Sequence, residues 1–88
     1  MTQLELAKID CLKKLDALQK EIDKGMGIRD IRKKSADIVY EYLGYCKNNK
    51  LLKQDYIDYC FSVVSEGWYW TKKGVDIEQL QEIIKGGE

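Results

Sequence analysis

Residues 2–25 read TQLELAKIDCLKKLDALQKEIDKG, and this stretch decides the fold class. It opens on Thr2-Gln3-Leu4-Glu5, the pattern of a capping box in which Thr2 and Glu5 each satisfy a free amide at a helix start. Leu4, Ala7, Cys11, Leu15, Leu18 and Ile22 then recur at steps of three and four, one face of an α-helix. Gly25 follows where a left-handed residue closes a helix, which predicts about 20 residues, or roughly 30 Å, of helix. Leu6, Ile9 and Leu12 fall off that stripe, so the first half is apolar nearly all round. Two readings are open there. Either a second helix covers the back of this end, or Leu6 and Ile9 belong to a partner surface, a homodimer contact through helix 1 included.

Outward from this helix, the pattern repeats. Ile28, Ile31, Ser35, Ile38, Val39, Tyr42 and Cys46 predict a second helix over about 28–47, of nearly equal length. The short Lys24-Gly25-Met26-Gly27 connection makes the pair a long antiparallel hairpin. Asn48-Asn49-Lys50 is turn chemistry. A third helix, about 53–66, has an apolar arc over more than half its circumference, from Tyr56 through Val64, and is expected at the centre of the bundle. Gly67 ends it. The segment from Gly67 to Gly74, with Trp68-Tyr69-Trp70 and a Thr-Lys-Lys-Gly turn, reads as an ordered loop, since too little sequence follows to complete a hairpin. Asp76-Ile77-Glu78-Gln79 starts a short last helix whose inner face is Ile77, Leu80, Ile83 and Ile84, closed by Gly86-Gly87. The expectation is an all-α fold: one domain over residues 1–88, a small bundle of four helices without proline, internal repeat or linker.

Composition narrows the function classes. The 44% hydrophobic content supports a packed core, and 15 basic against 15 acidic residues remove any global attraction to nucleic acid or anionic membrane. No apolar run reaches the ~18 residues of a membrane span, and no secretory leader is read at the start, so a cytoplasmic protein is expected. Cys11, Cys46 and Cys60 sit at helical spacing among apolar neighbours, as buried reduced thiols rather than metal ligands. No cofactor or metal is called for. There is no histidine, Ser62 and Ser65 have no base at helical reach, and Asp55 with Asp58 reads as a first-turn dipole complement. Gly25-Met26-Gly27 lacks the third glycine and the preceding strand of a nucleotide-binding turn.

Two surface features remain. Residues 29–53 carry seven basic against three acidic groups, while residues 54–88 carry three against seven. Arg29, Arg32, Lys33 and Lys34 crowd the first two turns of helix 2, where the macrodipole disfavours cations by a few tenths of a kcal/mol each. Arg29, Lys33, Tyr40 and Lys47 share a flank of that helix, either as a solvated face with a lone aromatic or as a binding surface. Trp68 and Trp70 alternate with Tyr69, so both tryptophans point one way; they either cap the open end of the bundle or form a hot spot. The expected function is therefore a small non-enzymatic interaction protein: an adaptor, inhibitor or regulator, with a composition suited to a bacterial or phage accessory protein. The alternative is weak, backbone-directed nucleic-acid binding through Arg29, Arg32, Lys33 and Lys47.

Overall fold

The computed structural model describes residues 1–86. It has four helices, α1 (Gln3–Asp23), α2 (Ile28–Asn48), α3 (Gln54–Glu66) and α4 (Ile77–Lys85), with a two-stranded hairpin, β1 (Trp70–Thr71) and β2 (Gly74–Val75), between α3 and α4. The radius of gyration is 12.6 Å, close to the roughly 12 Å expected for a compact chain of this length.

Local chemistry sets most boundaries. Thr2 caps α1, its Oγ1 accepting from the Glu5 amide at 3.1 Å. The Glu5 carboxylate accepts from the Thr2 hydroxyl at 3.0 Å, so the reciprocal bond expected at the Thr2 amide is made at the hydroxyl instead. Gly25, at φ +106°, turns the chain back after the Lys24 cap. The end of α2 uses a Schellman arrangement, with Leu51 N donating to Cys46 O and Lys50 N to Lys47 O. Its left-handed residue is Lys50, at φ 53°, rather than either asparagine. Asp76 caps α4 by accepting from the Gln79 amide at 3.1 Å. At the other end Gly86 is the cap, in right-handed conformation; Gly87, the other half of the expected closure, lies outside the described residues.

α1 and α2 form the long hairpin, and α2 also packs against α3 and β2, while α4 lies on α1. The core runs through all four helices: Leu15 and Leu18, Val39 and Leu43, Ile57 and Val63, Leu80 and Ile84, with Tyr69 from the hairpin. α3 supplies Ile57, Cys60, Val63 and Val64, and Tyr56 ties it to α4 by donating its hydroxyl to the Ile83 carbonyl. The back of α1 is partly covered. Leu12 packs on the core beside α4, where Gln81 donates to the Leu12 carbonyl and to Asp16. Leu6 stays exposed.

Cys11, Cys46 and Cys60 are free and buried. Burial, helped by nearby Asp10, pushes the Cys11 thiol up to about 12, and burial raises Cys46 and Cys60 in the same direction. Neutral, buried thiols are poor nucleophiles. Iodoacetamide at pH 8 should therefore leave all three unmodified in the folded protein and alkylate them in urea. Rapid alkylation without denaturant would contradict this packing. The same shifts fix a sign with pH. Unfolded thiols ionise near 9 while the folded Cys11 holds its proton to about 12, so the native state binds more protons in that interval and stability falls as pH rises through it.

Candidate functional site

The hairpin is where the loop reading fails. Trp70 pairs with Val75 and Thr71 with Gly74, and the Lys72-Lys73 turn is held by Thr71 Oγ1, which donates to Gly74 O at 2.9 Å and accepts from Lys73 N at 3.2 Å. Two-residue strands are too short to stand alone. They persist because β2 packs on α2, where Gly74 approaches Ile28, and because Tyr69 anchors the entry.

Tyr69 is 0% exposed. Its hydroxyl lies 2.8 Å from Ser35 Oγ, and Ser35 Oγ donates to Arg32 O at 3.0 Å. With the serine proton committed to that carbonyl, the tyrosine hydroxyl is the donor to Ser35. Every polar atom of this chain of bonds is then used, which explains a serine on the core face of α2. Burial alternates along Trp68-Tyr69-Trp70, but through a turn in which Trp70 N donates to Gly67 O rather than an extended segment, and the capping role passes to the tyrosine. Trp68 and Trp70 are 52% and 39% exposed.

Trp70 is nevertheless fixed in position. Gly67, left-handed at φ 71°, has no Cβ, and an added one would fall 2.3 Å from the Trp70 ring. Tyr69 meets the ring edge-on at 6.3 Å between centroids, and the Arg32 guanidinium lies over it at 4.1 Å. Trp68 makes an edge contact with Tyr59 at 6.0 Å, and Tyr59 and Ile28 are themselves 45% and 43% exposed. One end of the bundle thus presents tryptophans, a tyrosine and an isoleucine together.

Cations lie on the same elements. Arg29 and Lys33 are exposed on α2 to either side of Arg32, and Lys72 and Lys73 are exposed on the hairpin turn. Among the described residues none of these five makes an ion pair, whereas Lys14, Lys34 and Lys85 do. Asp30 is the acidic residue in the first turn of α2, so the crowded cations meet a positive dipole end that one carboxylate partly offsets.

The other residues expected at a site are not gathered here. Lys47 is at the far end of α2, about 21 Å from Lys33 at 1.5 Å per residue. Tyr40 is half-buried and stacks on Phe61 of α3 at 5.4 Å, which makes it packing rather than a lone surface aromatic. Leu6 is exposed, Ile9 half-buried, and both lie on α1. Sequence reasoning missed Tyr59 and Ile28 as members of the site, and took Lys72 and Lys73 only as neighbours that favour a binding role for the tryptophans. Nothing local marks the first two; Lys72 and Lys73 were visible beside the tryptophans but needed the hairpin to bring them round.

Elsewhere, a cleft of about 200 Å³ between α1 and α2 is lined by Cys11, Tyr42, Tyr45 and the Lys14 cluster. Lys14 bridges Asp10 at 3.0 Å and Glu41 at 2.9 Å, and bonding to Glu41 and Asp10 pushes its ammonium up to about 12. Burial also raises the Tyr42 phenol. The cleft holds a neutral phenol, a neutral thiol and a firmly charged lysine, none poised to move a proton near pH 7. Among the described residues no group of three or more Cys, Asp or Glu side chains could hold a metal ion, and no helix is long and apolar enough to cross a membrane. Compared with known protein families, curated proteins and solved structures, the chain matches none.

Proposed function

We propose that this chain is a small non-enzymatic protein that acts by binding another protein, as an adaptor, inhibitor or regulator, through the face built on Trp68, Trp70, Arg32 and Tyr59. One observation carries the reading: two tryptophans stand part-exposed at one end of the bundle, fixed by packing, beside cations that make no ion pair among the described residues. Tryptophan, tyrosine and arginine are the residues most enriched where binding energy concentrates, and a standard interface needs only about 800 Å² from each partner. Three reduced, buried thiols suit a cytoplasmic setting.

Backbone-directed nucleic-acid binding has weaker support, because Lys47 does not join the other cations and the α3 side of the face is acidic. Asp55 and Glu66 share the helix face of Tyr59, where they repel a phosphate chain. The test is an affinity capture from host lysate after nuclease treatment, run with the parent chain and with Trp68→Ala plus Trp70→Ala. Trp68 is half exposed and Trp70 rather less, so circular dichroism of the variant checks that it folds. The parent should retain a stoichiometric protein partner and the variant should lose it by at least about tenfold, the scale of a hot spot. Retention unchanged by the double substitution, or capture abolished by nuclease, would sink the proposal.

A further inference from the structure

We infer that the tryptophan face receives an acidic peptide segment, with one carboxylate held by the free edge of the Arg32 guanidinium where it lies on Trp70. This deepens the binding reading above and rests on it. Arg32 is half-buried, and its Nε is buried without a hydrogen-bond partner. Among the described residues its two terminal nitrogens make no hydrogen bond, and neither is buried without one, so that pair is open to solvent. A guanidinium lying over an aromatic ring keeps its in-plane donors for a second partner, and their fork matches a carboxylate. The geometry is set before any ligand arrives: Gly67 seats the Trp70 ring and Tyr69 abuts its edge. A side chain held in its bound position loses little entropy on binding.

The surroundings say what the rest of the partner carries. Arg29, Lys33, Lys72 and Lys73 are exposed and lack ion pairs among the described residues, so further acidic groups close to the first are favoured. Trp68 and Ile28 add exposed apolar ground, suited to an aliphatic or aromatic side chain beside those acids. The positive field is bounded. Beyond Trp68 and Tyr59 lie Glu66, Asp55 and Asp58, so a long uniform polyanion meets repulsion where a short acidic segment does not. Cations in the opening turns of α2 oppose its dipole, a local cost that a binding role offsets.

Random-sequence peptides displayed on phage, panned against the immobilised full chain, test this without knowledge of the natural partner. Selected sequences should be enriched in Asp and Glu next to an apolar residue. The synthetic winner should change the tryptophan emission, because both tryptophans of the chain are in this face. Its affinity should fall with rising salt and drop about tenfold in Arg32→Lys, which keeps the charge and loses the fork. Circular dichroism of the variant checks that it folds. Selected peptides that are neutral or basic, affinity untouched by Arg32→Lys, or tighter binding of an oligothymidylate than of the winner would each overturn the inference. If such peptides still depend on Trp68 and Trp70, the interaction face stands and only its carboxylate chemistry falls. If no selected peptide depends on either tryptophan, both fall together.

Discussion

Tyr69→Ala should destabilise the protein by about 3–5 kcal/mol, the range for removing a large buried aromatic. Domains of this size hold only about 5–15 kcal/mol in total. At 4–8 °C per kcal/mol, the melting midpoint should fall by roughly 12–40 °C. The ring is fully buried and belongs to the common core. Its carbonyl accepts from Asp76 N at 2.8 Å, just ahead of α4, so the cavity opens where the hairpin and the last helix are both tied down. Tyr69→Phe separates the ring from the hydroxyl. The ring stays, and Ser35 still donates to Arg32 O, so only one accepting site on Ser35 is left empty. That variant should cost about 1 kcal/mol, the usual net value of one hydrogen bond. Thermal and urea unfolding followed by circular dichroism compare the three proteins. A midpoint for Tyr69→Ala within a few degrees of the parent would mean the ring is not the plug of this end.

The identity of that plug marks the boundary of what the sequence could say. Periodicity and caps are local signals, and they located α1, α2 and α4 well: Thr2 and Asp76 are both N-caps. The alternation in Trp68-Tyr69-Trp70 was equally local; it holds in burial, through a turn rather than an extended segment. Which side of it turns inward depends on what waits in the core, and size alone favoured the tryptophans. Ser35 was the overlooked clue. A serine on an otherwise apolar stripe needs a partner once buried, and of the three aromatics only tyrosine offers a hydroxyl. The hairpin escaped because two-residue strands have no period to detect; its pairing follows from docking on α2. The same long-range information assigns Tyr40 to Phe61 and leaves Leu12 beneath α4. Of the face itself, Arg29, Arg32, Lys33, Trp68 and Trp70 could be read as unusual residues. That Arg32 and Trp70, 38 positions apart, form one stacked pair could not.

Gly67→Ala probes that stack from below, and its effect should exceed that of Gly25→Ala by about 1–2 kcal/mol. Both glycines have positive φ, at +71° and +106°, and an alanine in either pays a backbone strain of roughly 1–2 kcal/mol. At Gly25 that is the whole cost, since nothing lies within 4 Å of an added Cβ. At Gly67 the Cβ would fall 2.3–2.6 Å from three Trp70 ring atoms, a distance that requires the ring to leave. Leaving separates it from the Arg32 guanidinium, a contact worth about 0.5–1 kcal/mol at an exposed site, and from the edge of Tyr69. The total for Gly67→Ala should reach about 2–4 kcal/mol, from strain plus lost packing. Tryptophan emission should shift with it, because Trp70 moves from a packed, half-covered site into water. In Gly25→Ala the emission should stay unchanged. Equal losses of stability in the two variants, with identical emission, would show that Trp70 does not rest on Gly67. In that case the guanidinium would have no fixed seat from which to meet a carboxylate.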